Sequence, residues 1–312
     1  MVPALVLTAG LATRLRPLSF VRAKAALPVA GVPLVHRILR SLAGSGVTDV
    51  VLNLHHLPHT LTGRVGDGTG LGVRVKYSWE VPVLGSAGGP RRAIPLLGSA
   101  FLIVNGDTLT DLDVSALIAN HRESGALVTM AVVRQTEPDK YSGLSVDRNG
   151  AVIGFARRGS PDNRAHFIGV QVVEANAFTS VPPDVPFNTA ELYTSLMASR
   201  PGSIRTFETT AEFFDIGTPA DYLDTSLRIG EREGHDGAAG SGGAVDPSAR
   251  IERSILWDDV VVEAGAMLRE CVVTDGVRVP ADTSWHGVTI RVADGGLGPG
   301  ERRVEDLAIA SL

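Results

Sequence analysis

The 312-residue sequence has little cysteine, few aromatic residues and no long apolar run. Cys271 is its single cysteine, which excludes an intrachain disulfide framework and a cysteine cluster for zinc, so we expect this side chain to fill a small apolar space. No apolar stretch reaches the roughly 18 residues of a membrane span, and no basic leader with a cleavage site follows Met1. These absences predict a soluble protein of the reducing cytoplasm with no membrane partner.

An excess of positive charge is lacking as well. The formal net charge is -5 and no run of lysine and arginine forms a basic arm, which argues against a nucleic-acid partner. Apolar residues make up 44% of the chain and charged residues 20%, a globular balance that excludes disorder as the main state. The chain also lacks the GxxxxGK[ST] P-loop and the GxGxxG fingerprint, so neither a P-loop NTPase nor a Rossmann dehydrogenase is predicted.

Aliphatic segments alternate with segments of helical period through the first half of the chain. The predicted strands are VPALVLTAG, DVVLNLH, VRVKYSWE and FLIVNGD. The predicted helices are PLVHRILRSLAGSG and the region from Pro90 to Leu97, and another follows from Asp113 to His121. This alternation predicts a doubly wound α/β fold with a mostly parallel, Rossmann-like sheet.

Later segments continue the pattern and then change in character. ALVTMAVVR, HFIGVQVVE and SIRTFET are typical of strands, FNTAELYTSLMASRPG of a helix, and Asn149-Gly150 of a hairpin turn. GHDGAAGSGG has nothing to bury, which predicts a flexible linker over 231–244 after a catalytic domain over 1–230.

Beyond the linker, apolar residues recur at roughly hexapeptide intervals. They are Val245, Ile251, Ile255, Val260, Met267, Val272 and Val277. This spacing predicts a short left-handed parallel β-helix over 245–292, with an irregular β-sandwich fragment as the alternative. The final residues, 293–312, are rich in glycine and charge, and we expect a loosely ordered tail.

The loop TAGLATRLRPLSFVRAKAALP follows the first strand and groups Arg14, Arg16, Arg22 and Lys24. Arginine forks and backbone N–H groups neutralise phosphate oxygens, so the loop is a candidate anion site for a triphosphate that loses pyrophosphate. A solvated basic loop is the alternative.

This loop resembles the signature GxGTRLxPLTxxxPKPLLP of nucleotidylyltransferases that act on sugar-1-phosphates. The matching residues are Gly10, Thr13, Arg14, Leu15, Pro17, Leu18, Lys24, Leu27 and Pro28. The resemblance implies catalytic roles for Arg14 at the triphosphate and Lys24 at the reacting phosphate. It also implies nucleotide contacts from Ala9, Gly10, Leu11, Ala12 and Thr13. The sequence differs from the signature at Ala12, which replaces a glycine, and at Ala23 and Ala25, which replace prolines.

Two aspartates are candidate magnesium ligands. Asp107 ends the strand of LIVNGDTL, at the sheet edge where open α/β folds bind ligands, and Asp215 lies in FFDIGTPADYL. Mg²⁺ needs only one or two protein carboxylates when phosphate oxygens and water complete its coordination. The resemblance implies that both aspartates bind the metal, and the alternative for Asp107 is a turn or helix-cap residue.

The segment LGSAGGPRRA resembles the LGTAGAL element that holds base and ribose in the same family. The resemblance implies nucleotide binding by Gly85, Ser86, Ala87 and Gly88, where small residues let a planar base approach the main chain. Glu80 is either a base or sugar contact or a solvated strand end.

Resemblance is weaker on the sugar side. Candidate sugar-phosphate-binding residues are Asp107, Gly143, Arg158 and Gly169, and Arg157 stands where the family often has a glutamate. His166 is an unattractive general base because the attacking phosphate is already ionised.

The resemblance covers about Val2 to Leu227 and implies an enzyme that makes an NDP-sugar and pyrophosphate from an NTP and a sugar-1-phosphate with Mg²⁺. GTP with mannose-1-phosphate is the first expectation, because LGSAG resembles guanylyltransferases. UTP or dTTP with a glucose-type or amino-sugar phosphate is the alternative. A non-catalytic subunit that binds nucleotide sugar is a third hypothesis, and we expect a homo-oligomer assembled through the C-terminal coils.

Overall fold

The computed structural model describes residues 2–234 and 240–312. The chain forms two compact units, which we name the sheet unit (Met1–Gly10 and His36–Phe214) and the coil unit (Leu11–Val35 and Asp215–Leu312). The segment containing the signature loop thus groups with the C-terminal residues. The centre of the predicted linker, 235–239, lies outside the described residues, and the flexibility of the linker stays a prediction.

Helices and strands occur in the following order. The helices are α1 (Leu18–Val21), α2 (Leu34–Gly44), α3 (Pro58–Val65), α4 (Gly85–Leu97), α5 (Val114–Ser124), α6 (Thr189–Ser199) and α7 (Pro219–Glu233). The strands up to the second aspartate are β1 (Ala4–Leu7), β2 (Pro28–Val29), β3 (Val32–Pro33), β4 (Asp49–Leu54), β5 (Arg74–Trp79), β6 (Ala100–Asn105), β7 (Thr108–Thr110), β8 (Val128–Arg134), β9 (Gly143–Val146), β10 (Val152–Ala156), β11 (Ala165–Glu174), β12 (Ile204–Glu208) and β13 (Phe213–Asp215). The C-terminal strands are β14 (Ala244–Val245), β15 (Arg250–Glu252), β16 (Ile255–Leu256), β17 (Val261–Val262), β18 (Met267–Arg269), β19 (Val272–Val273), β20 (Arg278–Val279), β21 (Ser284–His286), β22 (Val288–Val292), β23 (Arg302–Val304) and β24 (Leu307–Ser311).

The sheet unit is built on one large sheet, as the alternating pattern predicts. Strand neighbours run β10-β9-β11-β6-β1-β4-β5, and β8 joins β11 to β12. The central pairs β6–β1, β1–β4 and β4–β5 are parallel, whereas β11 runs antiparallel to both β6 and β8. Continuous aliphatic runs form the central strands because side chains on both faces are buried. The α/β fold with a mostly parallel central sheet is therefore confirmed.

The coil unit contains a parallel β-helix of three coils. The first coil is β14-β15-β16, the second β17-β18-β19 and the third β20-β21-β22, and each strand pairs in parallel with its counterpart on the next coil. One coil takes 17 residues, as in the register of Ala244 with Val261. Left-handed φ values recur in the same register at Gly242, Asp259 and Gly276, where the backbone turns a corner.

Buried side chains fill the interior of these coils. They include Val262, Leu268, Val277 and Ile290, together with Cys271, which is fully buried as its expected role in packing requires. A parallel β-helix is therefore confirmed in place of the sandwich alternative, and its handedness stays a prediction.

The C-terminal residues differ from the loosely ordered tail that we predicted. β24 pairs antiparallel with β22 over five residues, and β23 pairs with β24. Leu307, Ala308 and Ile309 are buried against the last coil. Burial of these apolar side chains stabilises a segment whose content of glycine and charge suggested no ordered structure. In the described parts of the chain, no helix has the length and apolarity needed to cross a membrane.

Candidate active site

Asp107 lies at the carboxyl edge of the central strands in the sheet unit. β1 and β6 are parallel neighbours, so the chain leaves both at the same edge. Gly106 donates its N–H to the carbonyl of Leu7 at 3.1 Å, and a Cβ at Gly106 would collide with that carbonyl. Asp107 is half-buried and its Oδ1 accepts from Thr108 Oγ1 at 3.3 Å. A Cβ on Gly169 would lie 2.9 Å from Thr108 Oγ1, so two predicted site residues, Asp107 and Gly169, belong to one neighbourhood.

The nucleotide-binding candidates from Gly85 to Gly88 begin α4 and contact another segment of the sheet unit. The N–H groups of Ala87 and Gly88 both donate to the carbonyl of Phe187, at 3.0 and 3.1 Å. A Cβ on Gly85 would lie 2.8 Å from the same oxygen, and Ser86 Oγ accepts the first N–H of α6 at 2.9 Å. We explained the small residues by the approach of a base. The structure adds a second cause, since the chain's own backbone occupies two of these amides.

Glu80 is neither solvated nor exposed to a ligand. It is 1% exposed, and Asn53 Nδ2 and the N–H of Leu84 each donate to one of its carboxylate oxygens at 2.7 Å. Asn53 Oδ1 in turn accepts the N–H of Thr8 at 2.6 Å. A Cβ on Gly89 would collide with Glu80 Oε1, so α4 approaches the carboxylate closely. Both sequence interpretations of Glu80 were wrong, because this residue ties the end of β1 to β4 and the start of α4.

The sugar-side candidates are only partly brought together. Gly143 is buried, and a Cβ there would collide with Asn163 Oδ1, so close packing within the sheet unit requires this glycine. Arg158 and Arg157 are both exposed in the turn after β10. Both guanidinium groups could reach a phosphate from solution, but their positions identify no ligand for either.

His166 belongs to an aromatic cluster that the sequence did not predict. Its ring centroid lies 4.7 Å from that of Tyr141 and 4.8 Å from that of Phe213. Burial lowers the pKa of His166, an effect larger than the opposing hydrogen bond that the ring donates to the Ser142 backbone and the charge of Glu137. The imidazole is therefore neutral near pH 7. Our rejection of His166 as a general base rests on the ionised phosphate and stays a prediction.

In the coil unit, the signature loop is a series of tight turns. Ala12 has φ 47°, in the left-handed region that favours the glycine of the signature. Leu15 N–H and Ser19 Oγ both donate to the Ala12 carbonyl, at 3.0 and 2.9 Å. These bonds hold the conformation despite the replacement of glycine. Thr13 and Arg14 are exposed on the short 3₁₀ turn that follows.

Arg14 and Asp215 lie at the same place in the coil unit. A Cβ on Gly217 would be 3.5 Å from Arg14 Nη1 and 3.7 Å from Asp215 Oδ2. Just beyond Gly217, Thr218 and Asp221 form a capping box that begins α7. Lys24 is half-buried in a second 3₁₀ turn of the same unit. The signature cation and the second aspartate, distant in sequence, are thus brought together around one glycine.

Arg22 does not belong to an anion site, which corrects our grouping of four cations. It is 3% exposed, and its Nε donates to Asp275 Oδ2 at 2.7 Å while its Nη2 donates to Asp258 Oδ2 at 2.6 Å. Arg16 stacks over Phe20, with 5.2 Å between the guanidinium carbon and the ring centroid. The burial of Arg22 has no local signal, because its partners lie more than 230 residues away.

An open, mostly parallel α/β sheet whose central strand ends at a half-buried aspartate places the sheet unit among the Rossmann-like folds, which bind ligands at the carboxyl ends of their strands. The chain belongs to the nucleotidyl transferase family, whose model matches residues 3–165, more than half of its length. It is therefore a nucleotidyltransferase.

Curated relatives agree with this assignment, and a solved structure shares the fold. A mannose-1-phosphate guanylyltransferase of Mycobacterium tuberculosis is 29% identical over 86% of this chain and 83% of its own length. An N-acetylmuramate alpha-1-phosphate uridylyltransferase of Neisseria meningitidis is 44% identical, over 36% of this chain and 50% of its own. The crystal structure of HddC from Yersinia pseudotuberculosis has a TM-score of 0.64 at 23% identity, covering 73% of this chain and all of that one. That structural likeness shows the shared fold.

Proposed function

We propose that this nucleotidyltransferase transfers a nucleoside monophosphate from an NTP to a sugar-1-phosphate, with GTP and mannose-1-phosphate as the preferred pair. The observation that carries the proposal is the grouping of Arg14 with Asp215 around Gly217, a cation and a carboxylate suited to a metal-bound triphosphate. The relative from Mycobacterium tuberculosis, which spans most of the chain, supports guanylyl transfer to mannose-1-phosphate.

In the proposed reaction, a phosphate oxygen of the sugar-1-phosphate attacks the α-phosphorus of the NTP. The bond from that phosphorus to the oxygen bridging the β-phosphorus breaks, and pyrophosphate leaves. The attacking oxygen is already ionised, so the protein has no proton to remove. Arg14 and Lys24 neutralise negative charge on the triphosphate and at the reacting phosphate, and catalysis rests on positioning and electrostatics.

A magnesium ion fits the residues present. Within residues 2–234 and 240–312, no three His, Cys, Asp or Glu side chains are grouped as a metal site of their own. An ion that arrives with the triphosphate needs only one or two carboxylates, and Asp107 and Asp215 are half-buried carboxylates of the kind it prefers. Each aspartate is proposed, within its own unit, as a ligand of such an ion, which would supply charge neutralisation on the phosphates.

Uridylyl transfer is the second candidate, and one observation favours it. The uridylyltransferase of Neisseria meningitidis has the higher identity over its shorter match, and a UTP–glucose-1-phosphate uridylyltransferase of Synechocystis is 26% identical over 97% of the chain. UTP with an amino-sugar or glucose-type phosphate is therefore the alternative pair. A cytoplasmic location and a homo-oligomer stay predictions.

The test is pyrophosphate release with Mg²⁺ across a grid of NTPs, including dTTP, and sugar-1-phosphates. We expect turnover to be fastest with GTP and mannose-1-phosphate and to be abolished in Asp107→Ala. The matched control is Asp224→Ala, which removes an aspartate exposed on α7 and paired at 3.8 Å with Arg228. Faster turnover with UTP would favour the alternative. If no pair of substrates gives pyrophosphate release and the protein still binds an NDP-sugar, the result would contradict catalysis and support a regulatory subunit.

A further inference from the structure

Arg22 is held by two carboxylates that occupy equivalent positions on successive coils. Asp258 and Asp275 are 17 residues apart, and Asp275 Oδ1 also accepts the N–H of Asp258 at 3.1 Å. Ser241 donates its N–H to Asp258 Oδ1 at 2.9 Å. Each carboxylate is therefore oriented by the β-helix before it meets the guanidinium. A planar arginine fork bound in this way has one permitted orientation, unlike a solvated side chain.

A second set of contacts holds the loop beyond Lys24. The guanidinium carbon of Arg22 lies 5.0 Å from the ring centroid of Trp257, and Trp257 Nε1 donates to the hydroxyl of Tyr222 at 2.9 Å. That hydroxyl donates to the carbonyl of Pro28. Trp257 is 1% exposed and Tyr222 is fully buried. One cluster thus fixes the chain two residues before Lys24 and four residues after it.

Phe20 provides a third attachment, to the C-terminal strands. The guanidinium carbon of Arg291 lies 5.5 Å from the Phe20 ring centroid, and a Cβ on Gly298 would collide with that ring. Arg291 is itself paired with Glu301 at 2.6 Å, where both side chains are buried. The segment around Phe20 therefore packs on a surface fixed by an internal ion pair.

We propose that the β-helix is the positioning element of the signature loop, and that Arg22, Asp258, Asp275 and Trp257 are positioning residues for Lys24. This inference rests on the proposed function, because it takes Lys24 as the ligand of the reacting phosphate. Arg22 is buried and bonded to the coils, so it acts on the reaction through the backbone that it shares with Lys24. Charge stabilisation depends on cations fixed in place before the charge develops. The coils thus have a role in the chemistry of the signature loop.

Kinetics and hydrogen exchange of the full-length protein test the proposal. Asp275→Asn removes one charge from the Arg22 site, and Arg22→Lys keeps the cation without its fork. The matched control is Glu263→Gln, which removes the charge of a half-buried carboxylate of the same coils bonded to Arg278 Nη1 at 2.8 Å. We expect Asp275→Asn to lower kcat/KM roughly 100-fold, as displacement by about 1 Å does. Arg22→Lys should retain more activity than Arg22→Ala, and the control should match wild type.

Two readouts separate positioning from loss of folded protein. A smaller folded fraction lowers the apparent kcat at unchanged KM, whereas a displaced Lys24 also raises KM for the NTP. Amide exchange of residues 11–27 should accelerate about 10-fold in Asp275→Asn at a temperature where the rest of the chain keeps its wild-type protection. Trp257→Phe, which keeps an aromatic ring but removes the Nε1–H bond to Tyr222 and part of the buried indole, supplies a second variant if Asp275→Asn does not fold.

The outcomes distinguish this inference from the proposed function. Wild-type exchange of residues 11–27 together with unchanged NTP kinetics in all variants would overturn the positioning role. Absence of turnover by the wild-type protein would overturn the proposed function, while accelerated exchange of residues 11–27 would still show that the coils hold the loop.

Discussion

The sheet unit and the coil unit each contain a buried ionisable side chain, and the polar atoms of the two side chains are satisfied by different means. In the sheet unit, Glu80 accepts hydrogen bonds from the Asn53 amide and the Leu84 backbone, both neutral donors. In the coil unit, the Arg22 guanidinium faces the carboxylates of Asp258 and Asp275. A buried ionisable group is tolerated only when its polar atoms are satisfied, and both arrangements meet that condition.

The difference teaches where sequence patterns are informative. Glu80 bonds to a residue four positions away and to one on the neighbouring strand, contacts that follow from the sheet order. The carboxylates of Arg22 come from coils at the other end of the chain. The buried carboxylate of the sheet unit is therefore held by residues that the sheet order makes neighbours. The signature loop is held by the β-helix, which nothing in the signature motif predicts.

The largest expected effect is a loss of activity when either candidate metal ligand is replaced, Asp107 in the sheet unit or Asp215 in the coil unit. Asp107→Asn and Asp215→Asn should each lower kcat by about 1000-fold, because loss of one charge at a metal-bound triphosphate costs several kcal/mol of transition-state stabilisation. Pyrophosphate release over a Mg²⁺ titration measures the effect, and circular dichroism checks that the fold is kept. If only one variant loses activity, only that aspartate is a ligand of the metal.

A glycine substitution tests the buried carboxylate of the sheet unit. Gly89→Ala places a methyl group against Glu80 Oε1 and 3.0 Å from Asn53 Nδ2, so we expect a loss of ~3 kcal/mol in the free energy of unfolding. Gly63→Ala is the control, since that helical glycine has nothing within 4 Å of an added Cβ. It should gain up to ~1 kcal/mol, because alanine is the better helix former. Equal denaturant midpoints for the two variants would show that Glu80 moves aside freely.

Two fully buried tyrosines, one in each unit, allow the hydrogen-bond networks of the two units to be compared directly, with a smaller expected change in stability. The Tyr193 hydroxyl makes one bond, to Gln171 Oε1 at 2.8 Å, whereas the Tyr222 hydroxyl bonds both Trp257 and Pro28. Burial raises the pKa of both phenols, so both are protonated at neutral pH. Tyr222→Phe should cost ~2 kcal/mol and Tyr193→Phe ~1 kcal/mol in unfolding experiments, in proportion to the groups left unpaired. A larger loss in Tyr193→Phe would reverse the assignment of the stronger network.

Much of the fold followed from the sequence because it is set by local periodicity. The aliphatic runs of the central strands, the hairpin turn at Asn149-Gly150 and the apolar recurrence after Val245 each specified an element that the structure contains. α3 was missed because Pro58–Val65 has no sustained apolar period, and β24 because its apolar residues follow a stretch rich in glycine and charge.

The candidate site was predictable only where one segment supplies both the residue and its environment. Asp107 at a strand end is such a case, since the parallel sheet fixes its edge. The partners of Arg22 and the carbonyl of Phe187 come from distant segments, and no local property of a basic or small residue indicates which partner it meets. Roles for Arg14, Lys24, Arg158 and the LGSAG amides stay predictions that kinetics must decide.

The smallest expected effect is the pH dependence of the coil unit's charge cluster. Burial by itself would raise the pKa of Asp258, but the Ser241 N–H and the Arg22 guanidinium outweigh it and hold the pKa below its ordinary value of 3.8. The folded carboxylate thus binds protons less readily than the unfolded one, so its contribution to stability is full well above pH 3.8 and is lost as pH falls through the lower folded value. The Tm difference between wild type and Asp258→Asn should be constant from neutral pH to about 5 and should shrink below 3.8. Asp224→Asn, on the exposed face of α7, is the control. A difference that persists undiminished at lower pH would mean that the shape of the Asp258 side chain stabilises the loop and its charge does not.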